Sequence, residues 1–117
     1  MNKPQREKIL RRIIDSGACR FHVYPERLPG ETIATGHMAT PEGGSIRFTI
    51  YIDDEPPLIH WHGATARLDP APFLGNVNPC HGTKATSFCR DWDDVIVRLQ
   101  SVADAAARGN LFEQEIA

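Results

Sequence analysis

The amino-acid sequence predicts a two-layer α+β domain over residues 1–117: an N-terminal helix, a three- to four-stranded antiparallel meander, a long irregular loop and a C-terminal helix, both helices packed on one face of the sheet. Three observations predict it. Apolar residues recur at helical spacing near both ends of the chain, they alternate with polar residues between, and the alternating segments are joined by short connections. Helical spacing gives each helix one apolar stripe, alternation gives the sheet one apolar face, and stripe and face bury each other. Short connections favour antiparallel neighbours with one face left to water.

The first helix is predicted from about Pro4 to Ser16. Proline suits a first helical turn, where its missing N–H costs nothing. Ile9, Leu10, Ile13 and Ile14 then form one stripe, and Gly17 stands where a left-handed C-terminal cap is wanted.

The strands follow. Cys19 to Tyr24 alternates, with Phe21 and Val23 on one face and Arg20, His22 and Tyr24 on the other. Pro25 to Gly30 reads as loop. Thr32 to Ala39 reads as a strand interrupted by Gly36. Thr40 to Gly44 reads as a hairpin loop, and Ser45 to Ile52 as the clearest strand, with Ile46, Phe48, Ile50 and Ile52 opposite Ser45, Arg47, Thr49 and Tyr51. An acidic, proline-bearing turn (Asp53, Asp54, Glu55, Pro56, Pro57) precedes a shorter strand, Leu58 to His62.

Periodicity is lost from Gly63 to Phe88, where prolines and glycines punctuate an irregular stretch, a length that in compact domains often carries function. The last major helix is predicted from about Trp92 to Arg108. Asp91 is its N-cap, with Asp93 and Asp94 in the first turn, where the helix dipole favours anions. Trp92, Val95, Ile96, Leu99, Val102, Ala103 and Ala106 supply the stripe, Gly109 follows Arg108, and Leu111 to Glu115 is read as one further turn.

Composition bounds the function. The chain has 117 residues, 41% of them hydrophobic and 24% charged, enough for one core without a metal or disulfide, so a metal site would be functional rather than structural. Net charge is −2, and the densest basic group, Arg6, Lys8, Arg11 and Arg12, shares a helix with the apolar stripe and reads as a solvated face. This disfavours nucleic acid as partner. No apolar run reaches signal-peptide or membrane-spanning length. The odd cysteine count (Cys19, Cys80, Cys89) fits a reducing, cytoplasmic setting better than a disulfide framework.

Several groups are candidates for chemistry. His60 and His62, at i and i+2 on a strand, project from one face, and a loop carrying Cys80, His81 or Cys89 would complete a tetrahedral zinc shell. Against this stand the absence of a Cys-x-x-Cys framework and the simpler reading of both histidines as polar-face residues. Cys80 and Cys89 are the candidate thiol nucleophiles. A helix start would lower the pKa of Cys89, but Asp91, Asp93 and Asp94 oppose that, and Cys19, in line with Phe21 and Val23, reads as core. Gly82 to Ser87 lacks the first glycine of a phosphate loop, which excludes nucleotide hydrolysis by that route. Asp53, Asp54 and Glu55 read as a solvated turn, and Trp61 and Trp92 as core.

In element order the chain is similar to the ubiquitin-conjugating fold, with Pro56-Pro57 and the Cys89–Trp92 spacing as points of likeness. That family's His-Pro-Asn tripeptide is missing, and Asn78-Pro79-Cys80 is not its equivalent. Double-stranded-RNA-binding domains share the order helix, three strands, helix, but their lysine-rich second helix start is replaced by Asp91, Asp93 and Asp94. No family is assigned on topology.

The sequence reading is therefore a small, soluble, non-catalytic binding or regulatory module acting through protein contacts, with another protein or as a homodimer. It rests on the sheet's polar face, where Tyr24, Arg47 and Tyr51 are of types enriched at interfaces. The alternative is a zinc- or thiol-dependent site built from His60, His62, Cys80, His81 and Cys89.

Overall fold

A computed structural model describes residues 2–17, 20–24, 32–41, 44–51, 57–63 and 84–109. The elements run α1 (Lys3–Gly17), β1 (His22–Tyr24), β2 (Thr32–Ala39), β3 (Ser45–Tyr51), β4 (Leu58–Gly63), β5 (Lys84–Phe88) and α2 (Trp92–Ala107). The strands form one sheet in the order β1-β2-β3-β4-β5, every neighbouring pair antiparallel. The expected meander is present with five strands rather than three or four.

The additional strand, β5, lies at the end of the stretch read as irregular. Its inward positions are Ala85 and Ser87, too small and polar to give an apolar alternation. Ser87 belongs inside because its hydroxyl accepts the Trp61 indole N–H at 2.9 Å, satisfying a donor that burial would otherwise orphan. Residues 64–83 of that stretch, Cys19, Ile52 to Pro56 and Leu111 to Glu115 lie outside the described residues.

One face of the sheet makes the core. Directly opposed strand residues point to the same side, so Val23, Gly36, Phe48, Trp61 and Ala85 form one inward row, and Ala34, Ile50, Ile59 and Ser87 another. Phe48 meets Phe21 edge-on, with ring centroids 5.7 Å apart, and lies 5.8 Å from Trp61. Gly36 interrupts β2 for a steric reason: a Cβ there would come within 2.2 Å of the His22 carbonyl oxygen and 2.5 Å of the Phe48 ring. A register shift between Thr32 and Ala34 turns both Ile33 and Ala34 inward, where strict alternation would have separated them.

Both helices cover this face, and their buried residues join the inward strand residues in one cluster. Helix α1 lies against β1, β2 and α2, and α2 also lies against β2. Asn2 caps α1 reciprocally: its Oδ1 accepts the Gln5 N–H and Gln5 Oε1 accepts the Asn2 N–H, both at 3.0 Å. Of the predicted stripe Ile13 is fully buried and Ile9 and Leu10 pack on the core, whereas Ile14 is 42% exposed. Gly17 is not a left-handed cap but the last helical residue, with the Phe21 ring 3.1 Å from where its Cβ would stand.

Helix α2 begins as expected. Asp91 Oδ1 accepts the Asp94 N–H at 2.8 Å, and the Asp94 carboxylate accepts the Arg90 N–H at 2.9 Å. It ends at Arg108, after which Gly109 turns left-handed, with φ of 72°. Among the described residues no helix is long and apolar enough to cross a membrane.

Candidate binding face

The face away from the helices is built by the same registers. His22 opposes His37, His37 opposes Arg47, Arg47 opposes His62, and His62 opposes Lys84. One residue from each of five strands thus forms a transverse row of three imidazoles, a guanidinium and an ammonium. Beside it Tyr24, Thr35, Thr49, His60 and Thr86 form a second row. His22, Arg47, His62 and Lys84 are exposed, while His37, Thr49, His60 and Thr86 are half-buried among their neighbours.

Local contacts hold several of these rings in place. The Tyr24 hydroxyl and His37 Nδ1 are hydrogen-bonded at 2.8 Å, and their rings lie 5.4 Å apart. His22 also packs on His37, with centroids 5.2 Å apart, and Tyr51 meets His60 edge-on at 5.4 Å. Tyr24, Thr35, His37, Ser45 and Arg47 line a concavity of about 500 Å³ at the β1–β3 side of the face. A bonded tyrosine and packed imidazoles lose little rotamer freedom when a partner arrives, which favours recognition.

Of the described residues considered for metal or thiol chemistry, His60 and His62 share the outward side of β4. Cys89 lies apart from them, within the helix-covered core, and is 2% exposed. Its S–H points to the Ser87 carbonyl at 3.8 Å. Burial pushes this thiol up from 9.0 to about 11; Asp94 and Asp91 add to the effect and Arg98 opposes it. Cys89, read as a candidate thiol nucleophile at a helix start, is thus a buried thiol whose desolvation and neighbouring carboxylates disfavour the thiolate. Cys80 and His81 lie outside the described residues. Among the described residues no three His, Cys, Asp or Glu side chains are grouped to hold a metal ion.

Alternation within single strands puts His22, Tyr24, Arg47, Tyr51, His60 and His62 on polar faces. His37, behind the break at Gly36, and Lys84, in an unassigned stretch, carry no such signal. Cross-strand register was the missing signal, because alternation within one strand does not say which residues of different strands stand side by side. No protein-family model, no curated protein and no solved structure matches the chain.

Proposed function

We propose that the protein is a small non-catalytic binding or regulatory module that contacts another protein, or a second copy of itself, through the outward face of its sheet. What carries the reading is the five-stranded face opposite both helices, where exposed Tyr24, Arg47, His62 and Lys84 stand among hydroxyl side chains. Tyrosine and arginine are enriched at protein interfaces, and Tyr offers large contact area at small entropic cost. Buried, protonated Cys89, on the far side of the sheet from His60 and His62, lends no support to the thiol or zinc reading.

Site-specific photo-crosslinking in cells tests this. A benzophenone side chain at Thr49, mid-face, should yield a discrete adduct, and one at exposed Val97 on α2 should not. The adduct's mass distinguishes a homodimer from a second protein. An adduct from position 97 alone would put the interface on the helices and overturn the reading.

A further inference from the structure

The charge on the outward face points to the chemistry of its partner. Among the described residues no strand contains an aspartate or glutamate. The described carboxylates, Glu7, Asp15, Asp91, Asp93, Asp94 and Asp104, all belong to the helices or to the turn entering α2. Across the strands, by contrast, run His22, His37, Arg47, His62 and Lys84 in one cross-strand line. Among the described residues the two signs are thus segregated, and the row invites a partner of opposite sign.

We propose that this row receives an acidic segment of a partner protein, its carboxylates docking on Arg47, His62 and Lys84. The proposal rests on the reading of this face as the binding surface and adds the class of partner. Guanidinium and ammonium groups are donors with no acceptor, and an imidazole keeps at least one N–H in every tautomer. An ionised carboxylate is the converse, accepting and never donating. Neighbouring strands stand about 4.8 Å apart, so Arg47, His62 and Lys84 span about 10 Å across β3, β4 and β5. Alternate residues of an extended segment are about 6.6 Å apart, about 3 Å less than that span, a difference that the long Arg47 and Lys84 side chains make up by leaning toward each other. Thr49 and Thr86, in the adjoining row, offer hydroxyls to the segment's backbone.

A phosphate backbone is the other polyanion to weigh. Binding to it grows with the number of phosphates neutralised by lysine and arginine. The row holds one of each, and the chain is net negative at −2. Hydroxyls and mixed imidazoles suit the sparser charge of a carboxylate-bearing segment better.

Fluorescence anisotropy of the full chain with fluorescein-labelled decaglutamate tests the proposal, with decauridylate as the comparison probe. Saturable decaglutamate binding is expected. It should weaken by about tenfold or more in Arg47→Glu and in Lys84→Glu, as reversal of an interfacial charge does, and be unchanged in Arg11→Glu, a reversal on exposed α1. Thermal melts confirm that each variant folds, and Arg47→Gln replaces any that does not. Amide shift mapping should place the change on β3, β4 and β5. Failure to bind decaglutamate, or equal loss in Arg11→Glu, overturns the proposal. Decauridylate binding in its place, with shifts on the same strands, overturns the acidic partner but leaves the face a binding surface. Shifts confined to α1 and α2 overturn both.

Discussion

Phe48 and Arg47 are chain neighbours on opposite sides of one strand, and the contrast between them is a direct measure of how the sheet is used. Phe48 is wholly buried between Phe21 and Trp61, and its ring fills the space left by Gly36. Truncating it to alanine should cost about 3–5 kcal/mol, the usual loss for a buried phenylalanine. Arg47→Ala, on the exposed face, should change stability by about 0.5 kcal/mol or less. Gly36→Ala should destabilise by about 1–3 kcal/mol or more despite alanine's better backbone entropy, because its methyl meets both the His22 carbonyl oxygen and the Phe48 ring. Urea unfolding of the three variants checks all of this, and similar small losses at Phe48 and Arg47 would mean that the strand's faces are reversed. Cys89 supplies the pH dependence. Its folded-state pKa is raised, so folding favours the protonated thiol. That contribution is complete below 9.0 and is lost as pH rises through about 11. The stability gap between the native chain and Cys89→Ala should therefore narrow over that interval, and a gap that widens with pH would mean that the thiol is not buried.

At the scale of elements, legibility followed the strength of the periodic signal. β2 and β3 alternate or carry β-branched residues, and α2 has a cap, a stripe and a terminal glycine, so their bounds were readable to within a residue or so. β5 was not, because its inward residues are an alanine and a serine whose place is set by Trp61 on another strand. The partner across the sheet decides the fate of Ser87, and sequence spacing contains no record of it. Gly17 differs for a related reason: a helix-terminal glycine signals a left-handed cap, whereas here it ends the helix with the Phe21 ring 3.1 Å from where its Cβ would stand. The proposed binding face is half legible, since its residues are visible as polar sides of strands while their alignment is not. Asp94 shows what a cap contributes beyond its own turn. It is 7% exposed, accepts the Arg90 N–H and lies 3.3 Å from Arg98 Nε. Asp91→Ala removes one N-cap bond and should cost about 1 kcal/mol. Asp94→Ala should cost more, because it strips a partner from the Arg90 amide and from half-buried Arg98 together. Thermal melts of the two variants rank them, and the reverse order would show that the first-turn carboxylate is solvated.

Over the whole molecule the packing is graded, and the grading predicts which part opens first. β3 is the central strand, hydrogen-bonded on both sides, and its Ile46, Phe48 and Ile50 are wholly buried. Helix α1, in contrast, commits one large side chain fully to the core, Ile13, with Ile9 and Leu10 at its edge. Its link to α2 through Arg12 and Asp93, like that from Arg20 to Asp104 at 2.8 Å, joins largely exposed groups. Such pairs contribute at most about 1 kcal/mol each and fade with salt. Local opening draws on elements with few buried apolar contacts and solvated surroundings. Native-state hydrogen exchange should therefore find α1 amides protected by less free energy than those of β3, by several kcal/mol on the scale of one buried isoleucine and its neighbours. Ile13→Ala should release α1 while the outward face of the sheet keeps its protection, since that face is held by strand pairing and by the Phe48–Trp61 packing beneath it. Equal protection of α1 and β3, or joint loss of both in Ile13→Ala, would show the helix and sheet to be one cooperative unit. The predicted separation has a functional consequence. The proposed binding face would then stay in place through fluctuations of the helix layer, and its affinity for a partner would be independent of whether α1 is docked.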